Sequence, residues 1–203
     1  MITRIIAKIM SVIYYSTTFL YYRLIFKKIG NRSRISRPLK LMGTDNIEIG
    51  SRVSVGKFGW LASDRRFGNE MGSIKIGDNT YIGNFCHIYS TGSICIEENV
   101  LIADKVYIAD NSHGYEDIDI PILFQKVKPL SQVTIGQNSW IGENACILGV
   151  KIGKHCIIGS NSVLNKDLPD YSIAVGSPAR IVKRYNFETQ AWEKTNDKGE
   201  FLN

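Results

Sequence analysis

One six-residue phrase recurs along the chain and constrains its fold more than any other feature. Each copy begins with an aliphatic residue, which is followed by Gly or another small or acidic residue. A small residue stands four positions after the aliphatic one. The clear copies begin at Ile76, Ile82, Ile96, Ile102, Ile108, Ile135, Ile141, Ile152 and Ile158, and a weaker one begins at Ile49. So many copies in phase or near phase argue against chance spacing.

A period of six matches neither one face of a helix nor an alternating strand. It is typical of a β-helix built from hexapeptides, in which each repeat forms one flat side and three repeats complete a triangular coil. The coils then stack about one strand spacing apart. The pattern therefore predicts an all-β parallel prism, with the aliphatic residue pointing inward and the small residue packed near a corner.

The repeats also divide the chain into regions. We predict an N-terminal apolar helix and a basic linker over residues 1–45, and a β-helix domain over residues 46–180. The period stops at residues 114–132, and a segment without the repeat is expected to leave the prism as a protruding loop. A long insertion of this kind in a compact repeat protein is usually functional. Residues 57–73 also break the period and predict an irregular coil or a hairpin loop. The tail, residues 181–203, predicts a short C-terminal helix with a frayed end.

The N-terminal region is basic and apolar. The chain of 203 residues has a net charge of +6, and positive residues are concentrated near its start. That charge favours anionic lipid or nucleic acid as a partner, and nothing in the sequence resembles a nucleic-acid-binding motif. The uncharged run from Ile9 to Tyr22 is shorter than the ~20 residues of a membrane-spanning helix. No small-residue cleavage site follows it. Residues 1–29 therefore predict a helix that lies at a membrane interface, caps the open end of the prism, or does both.

The cysteines indicate a reducing compartment. The four cysteines form no C-x-x-C pair, and Cys86 and Cys156 stand at the small inward position of the repeat. They are therefore interpreted as core thiols. We predict a cytoplasmic protein. If residues 1–29 lie at a membrane rather than only capping the prism, the surface they contact is the inner face of the cell membrane.

Four sequence features resemble one enzyme family. They are the segment Ala109-Asp110-Asn111-Ser112-His113-Gly114, the protruding loop after it, the segment Ser139-Trp140-Ile141-Gly142, and the segment Val175-Gly176-Ser177-Pro178-Ala179-Arg180. Together with the repeats they resemble the hexapeptide-repeat acyltransferases, most closely the sugar O-acetyltransferases that modify maltose, galactosides, nodulation factors, capsules and lipopolysaccharides. The resemblance covers residues 47–184. It implies a left-handed coil, which is an exception to the usual right-handed crossover.

The resemblance implies that His113 is the catalytic residue. A sugar hydroxyl needs a base to remove its proton as it attacks a thioester, and neutral imidazole suits that task near pH 7. A histidine base usually has a partner that orients it. Asp110, Glu116, Asp117 and a backbone carbonyl remain open as that partner, and Asn111 resembles a position that contacts the acceptor. The other two histidines, His87 and His155, lie within regular coils and are interpreted as outward or corner residues.

The resemblance also implies a site for acetyl-CoA, the acyl donor, in a groove between two prisms. The residues expected to line the groove are Trp140, Gly142, Ala145, Gly159 and Ser160, and those expected near the phosphates are Lys166 and Arg180. A groove between prisms requires neighbouring subunits, so the resemblance implies a homotrimer. We expect no metal, because the three histidines lack the spacing of a zinc site.

The function predicted from these features is acetyl-CoA-dependent O-acetylation of a sugar hydroxyl. The apolar N-terminus favours a bacterial surface polysaccharide, or its lipid-linked precursor, as the acceptor over a small diffusing sugar. Two alternatives stay open at this point. One is N-acetylation of an amino-sugar nucleotide, and the other is a non-catalytic, membrane-associated β-helix scaffold.

Overall fold

The computed structural model describes residues 2–64 and 72–202, and it shows one helix followed by a parallel β prism. The helix, α1, comprises Ile2–Ile25. Three sheets of parallel strands form the three faces of the prism, as the six-residue period predicts. Two short 3₁₀ helices lie at Thr44–Asn46 and Ile122–Phe124. Part of the predicted break over residues 57–73 lies outside the described residues.

Each face of the prism receives one strand from every coil. The first face contains β1 (Lys28–Ile29), β4 (Ile47–Ile49), β7 (Ser73–Ile76), β10 (Ser93–Ile96), β15 (Val133–Ile135) and β18 (Lys151–Ile152). The second face contains β2 (Arg34–Ile35), β5 (Ser54–Val55), β8 (Tyr81–Ile82), β11 (Leu101–Ile102), β16 (Trp140–Ile141), β19 (Ile157–Ile158) and β21 (Ser172–Gly176). The third face contains β3 (Lys40–Met42), β6 (Trp60–Ser63), β9 (His87–Ser90), β12 (Tyr107–Ala109), β17 (Cys146–Leu148) and β20 (Val163–Leu164).

The first coil lies in residues that the sequence analysis assigned to a linker. β1, β2 and β3 pair in parallel with β4, β5 and β6. The prism therefore begins at about Lys28, and the domain boundary predicted at residue 46 is wrong. A sequence signal was present, because Ile29 and Gly30 begin a copy of the repeat that Ser33 closes. The backbone of the next coil packs closely against Gly30. A Cβ at this position would lie only 2.4 Å from the backbone nitrogen of Ser51, so a larger residue would not fit.

The core of the prism is a stack of aliphatic side chains. The inward residues of successive coils are almost fully buried, among them Ile82, Ile102, Ile141 and Ile158 on the second face. Burial of such a side chain stabilises the fold by about 1.5–3 kcal/mol. Because the strands pair in register, each aliphatic residue lies directly above its counterpart in the coil below. The aliphatic residues of the repeat thus form one core that extends along the axis of the prism.

The small inward residues add a second regular contact. Ser33, Thr80 and Ser139 each donate a side-chain hydrogen bond to a backbone carbonyl of the next coil. Cys86 and Cys156 occupy equivalent positions, and their thiols approach the carbonyls of Ala103 and Pro169 at 3.1 and 3.2 Å. The prediction that these two cysteines are core thiols is confirmed, since both are buried and neither forms a disulfide.

We predict that Cys86→Ser changes the free energy of unfolding near neutral pH by no more than about 1 kcal/mol. At alkaline pH the variant should lose less of this free energy than the parent protein does. Burial raises the pKa of the Cys86 thiol to about 11 from an ordinary value of 9.0. The unfolded chain therefore releases this proton first, and stability is lost as the pH rises from about 9 to about 11. The complete loss is worth roughly 2–3 kcal/mol.

Urea unfolding of both proteins at about pH 8 and about pH 10.5 measures this difference. The serine should keep the contact with the Ala103 carbonyl, because Ser139 makes the same kind of contact in another coil. An equal alkaline loss in the two proteins would contradict the prediction, since every other titrating group is shared.

The predicted N-terminal helix is confirmed as α1, and it packs against the first coil. Tyr22 and Phe26 are buried at the start of the core. The backbone N–H of Arg37 donates a hydrogen bond to the Tyr14 hydroxyl, and the hydroxyls of Tyr15 and Ser36 bond to each other. α1 therefore closes the first coil, as the capping interpretation expected. In the part of the chain that the structure describes, no helix combines the length and apolar character needed to cross a bilayer.

The tail forms strands, so the predicted C-terminal helix is wrong. β22 (Ala179–Asn186) pairs antiparallel with β21, and β23 (Ala191–Lys194) pairs antiparallel with β22. The segment Ile181-Val182 is β-branched and suits a strand. The pairing covers the edge that the last coil would otherwise expose.

Candidate active site

A β-hairpin leaves the prism and covers part of its third face. After β12 the chain forms β13 (Asn111–His113), and it returns through β14 (Val127–Pro129), which pairs antiparallel with β13. The predicted protruding loop is therefore anchored by two short strands. Between the hairpin and the third face lies a cavity of about 840 Å³. Its size is within the range of sites for small ligands.

His113 is the last residue of β13, and its side chain lines this cavity. The residue is exposed, and Ser112 and Asn111 line the cavity beside it. Within residues 2–64 and 72–202, no side chain is hydrogen-bonded to the imidazole of His113. Its ring nitrogens are thus available to a ligand in the cavity.

Asp110, which the resemblance left open as an orienting partner, is bonded elsewhere. Its buried carboxylate accepts hydrogen bonds from the Ser90 hydroxyl at 2.7 Å and from the backbone nitrogens of Thr91 and Gly92 at 2.8 and 2.9 Å. Asn111 donates to the same carboxylate at 3.1 Å. Asp110 therefore fixes the turn of a neighbouring coil, and through Asn111 it fixes the start of β13.

The other acidic candidates are engaged within the hairpin. Glu116 forms an ion pair with Lys128, and this hydrogen-bonded contact lowers the pKa of the Glu116 carboxyl. The Asp117 side chain accepts a hydrogen bond from the backbone nitrogen of Asp119 at 2.9 Å. These contacts hold the hairpin in shape. Gln125 adds to them by donating to the Asp117 carbonyl at 2.7 Å, and it also lines the cavity.

A column of side chains on the third face forms the floor of the cavity. Lys40, Trp60, His87 and Tyr107 stand on consecutive strands and point outward. The rings of Trp60 and His87 stack at 4.1 Å between centroids, and the Lys40 ammonium lies 4.7 Å from the Trp60 ring centre. Burial and the nearby Lys40 charge lower the pKa of His87 below its ordinary value.

The sequence indicated that His87 is an outward or corner residue but did not place it in the same cavity as His113. The signal that could have placed it is the coil register, because the third-face strands align Trp60, His87 and Tyr107 one above the other. His155 is different. It lies at a corner of the prism and stacks on Tyr171 and Trp192, away from the cavity lining.

The residues expected to bind coenzyme A lie on other surfaces of the same prism. Trp140 is half-exposed on the second face, in one outward column with Tyr81 and Leu101. Gly142 and Ser160 lie at the corner between the second and third faces, in successive coils. The cavity and Trp140 are therefore on different faces, so a groove that joined them would need a second copy of the chain.

Three small residues of that set have a structural reason for their size. A Cβ on Gly142 would lie 2.6 Å from the backbone nitrogen of Ser160, and one on Gly159 would lie 2.7 Å from Val175. The side chain of Ala145 is fully buried in the core. The prediction that this side chain lines an outer groove is therefore wrong, because it faces the inside of the prism.

The two predicted phosphate ligands are at the late end of the prism. Lys166 is exposed and follows Asn165, which lines the cavity. Arg180 lies on β22, and its guanidinium donates to the carbonyl of Ala179 at 2.9 Å. Among residues 2–64 and 72–202, no group of three or more His, Cys, Asp or Glu side chains could hold a metal ion.

The repeats and this cavity define a β-helix of hexapeptide repeats with a histidine-bearing cleft. A family described as the hexapeptide repeat of succinyl-transferase matches residues 132–166. The chain is 38% identical over 130 residues to a putative lipopolysaccharide biosynthesis O-acetyl transferase, WbbJ, of Escherichia coli K12, covering 61% of this chain and 66% of that protein. It is 31% identical over 156 residues to a putative acetyltransferase of Staphylococcus aureus, covering 76% of this chain and 70% of the relative.

A solved structure agrees on the fold. The chain aligns with AntD, an N-acyltransferase from Bacillus cereus in complex with dTDP and 3-hydroxybutyryl-CoA, with a TM-score of 0.71 and 21% identity. The alignment covers 86% of this chain and 92% of AntD. The chain belongs to the family of hexapeptide-repeat acetyltransferases.

Proposed function

We propose that this protein transfers an acetyl group from acetyl-CoA to a sugar hydroxyl of a bacterial surface polysaccharide or of its lipid-linked precursor. The observation that carries the proposal is the position of His113, at the end of β13 and on the wall of a cavity large enough for a sugar unit. Family membership supports acetyl-CoA as the donor, and the name of the E. coli relative supports a surface-glycan acceptor.

In the proposed reaction His113 acts as the general base. Its neutral imidazole takes the proton of the sugar hydroxyl while the hydroxyl oxygen bonds to the thioester carbonyl carbon. The tetrahedral intermediate collapses, the carbon–sulfur bond breaks, and the thiolate of coenzyme A accepts the proton from the imidazolium. Asn111 lines the cavity, and while its amide nitrogen donates to Asp110 and to the Tyr89 carbonyl, its side-chain oxygen can accept a hydrogen bond from another hydroxyl of the sugar.

The proposal includes a homotrimer of left-handed prisms. Two apolar surfaces support association between copies. One is the column Tyr81, Leu101 and Trp140 on the second face, whose members are 43–47% exposed. The other is the hairpin, where Ile118 and Leu123 are 95% and 80% exposed. Such apolar patches mark interaction sites, and an association that seats the hairpin of one copy against a neighbour would bring His113 and Trp140 into one groove.

The test of the proposed function is release of free thiol from acetyl-CoA by the purified protein. The acceptor panel should contain lipid-linked sugars, surface-glycan oligosaccharides and amino-sugar nucleotides. We expect release with a sugar that offers a hydroxyl, and mass spectrometry of the product should show an acetyl ester. An acetyl amide formed only on amino sugars would overturn the proposal in favour of N-acetylation. Absence of coenzyme A binding would favour a non-catalytic scaffold.

We predict that Trp140→Ala raises the KM for acetyl-CoA about tenfold and changes kcat little. The reason is that a half-exposed indole on the second face offers a flat apolar surface to the pantetheine arm, and its removal takes away binding shared by ground and transition states. Steady-state kinetics at saturating acceptor measure both constants.

The matched control for Trp140 is Leu101→Ala, because Leu101 is its direct neighbour in the second-face column. Light scattering of both variants reports the assembly state. If both variants dissociate and lose activity together, Trp140 serves the subunit interface and the prediction for coenzyme A is wrong.

A further inference from the structure

We propose that the outer side of α1 and the basic first coil together form a docking surface for an anionic lipid bilayer. We call this the base surface, and it comprises the exposed residues of α1 and residues 27–40. The proposal concerns where the enzyme works and does not depend on the reaction at His113.

The outer side of α1 is an apolar stripe. Exposed apolar residues stand at Ile6, Met10, Ile13, Leu20 and Leu24, with Thr17 at the intervening position. Their spacing of four and three residues places them along one side of the helix. Leu24 is 85% exposed and Leu20 is 63% exposed. A soluble enzyme gains nothing by leaving such a stripe in water, because burial of each leucine is worth about 1.5–3 kcal/mol.

The stripe points away from the prism. Tyr22 and, just after the helix, Phe26 are buried against the first coil. At 3.6 residues per turn, Tyr22 lies on the side of α1 roughly opposite to Leu20 and Leu24. A helix of 24 residues is about 36 Å long. It can therefore lie flat on a surface with its apolar side down, while the prism stands above it.

The positive charge of the N-terminal residues favours an anionic membrane as the surface that α1 contacts. Residues 1–44 contain nine basic residues and no acidic ones, so their net charge is +9, and the rest of the chain contributes 16 basic and 19 acidic residues, or −3. The two parts add up to the +6 of the whole chain. Arg23 is exposed on α1, and Lys28, Arg32 and Arg37 are exposed on the first coil. Each such residue near an anionic membrane contributes about 1 kcal/mol to binding.

Charge also argues against a second copy of the chain as the occupant. The four- and three-residue spacing of the stripe is compatible with a helix seam between two copies. Two base surfaces placed face to face would bring positive charge against positive charge, since residues 1–44 contain no acidic residue and Glu48, which pairs with Lys27, offsets one of their nine positive charges. An anionic bilayer offers both an apolar layer for the stripe and negative charge for the basic coil, which is the combination that holds interfacial helices.

Vesicle sedimentation of the full-length protein tests the proposal. We expect binding to vesicles of phosphatidylcholine mixed with phosphatidylglycerol, weaker binding to phosphatidylcholine alone, and a fall in binding as salt is raised. The double variant Arg23→Gln/Lys28→Gln should lower the partition coefficient about 30-fold. Leu20→Gln/Leu24→Gln should lower it at least as much, because the stripe loses its most exposed leucine.

Controls separate this surface from general stickiness and from misfolding. Leu202→Gln changes another exposed leucine at the opposite end of the chain and should leave vesicle binding unchanged. The circular dichroism and melting temperature of each variant should match the parent, since the changed side chains are exposed. Equal binding to neutral and anionic vesicles, or no effect of either double variant, would overturn the proposal. A change of oligomeric state without lipid in Leu20→Gln/Leu24→Gln, with vesicle binding intact, would assign the stripe to a second copy.

Discussion

Replacing His113 by alanine should lower kcat for acetyl transfer by about 10²–10⁴-fold, the usual contribution of a positioned general base. The affinity for coenzyme A should change little, because the histidine acts on the acceptor hydroxyl. The free energy of unfolding should also change little. The His113 side chain is exposed and has no side-chain hydrogen bond within the described residues. Steady-state kinetics, with urea unfolding in parallel, measure both quantities.

The other two histidines provide matched controls. His155→Asn is the control for loss of an imidazole at a site remote from the cavity. His155 has a φ of 55°, and Asn holds the equivalent left-handed corner at Asn99 and Asn138 in other coils. Full activity is expected for this variant.

His87→Phe is the sharper control, because His87 lines the same cavity as His113. Phenylalanine keeps a ring stacked on Trp60 and removes both nitrogens. We expect a loss of kcat well below that of His113→Ala, since His87 stands in the floor of the cavity and its Nε2 is buried without a partner among the described residues. If His87→Phe were inactive and His113→Ala active, the roles of the two histidines would be exchanged.

The fold could be predicted from the sequence because its period is specific. A six-residue repeat with an inward aliphatic residue permits few arrangements, and Ile82, Ile102 and Ile141 lie in the buried column that the pattern indicated. The first coil was missed because most of its residues are polar or basic and only one of its sides carries the full repeat. Ile29, Ile35 and Leu41 keep the six-residue step there, but only Ile29 is followed by Gly and then, at the fourth position, by a small residue. The tail was missed because its pairing depends on the open edge of β21, a feature of the assembled prism.

The candidate site was only partly predictable for a similar reason. His113 stands where the period stops, and a resemblance could place it from sequence alone. Trp60 and His87 are 27 residues apart, and only the pairing of β6 with β9 brings their rings together. Asp110 could not be assigned from spacing, since its partners belong to the turn after β9, about 20 residues earlier in the chain.

Replacing Asp110 by alanine should lower the free energy of unfolding by about 3–5 kcal/mol, the usual effect of removing one partner from a buried charged network. Asp110 is 2% exposed. Its removal leaves the Ser90 hydroxyl and the backbone nitrogens of Thr91 and Gly92 without their acceptor. The loss of the Asn111 contact should also loosen the start of β13, the strand that carries His113.

The matched control is Asp167→Ala. The Asp167 carboxylate makes a similar contact with a neighbouring coil, accepting from the backbone nitrogen of Lys151 at 2.8 Å, but the residue is exposed. Water can replace this acceptor, so we expect a loss of about 1 kcal/mol or less. Comparison of the two variants isolates the effect of burial on the same type of hydrogen bond.

Urea unfolding curves and the activity of the folded fraction together decide the role of Asp110. The structure predicts a large loss of stability for Asp110→Ala, with activity at low temperature falling less than it does in His113→Ala. The opposite result, a stable protein with activity reduced as far as in His113→Ala, would show that Asp110 acts in the reaction as a positioning group. In that case Asp110 would act through Asn111, whose bond to its carboxylate fixes the start of the strand that carries His113.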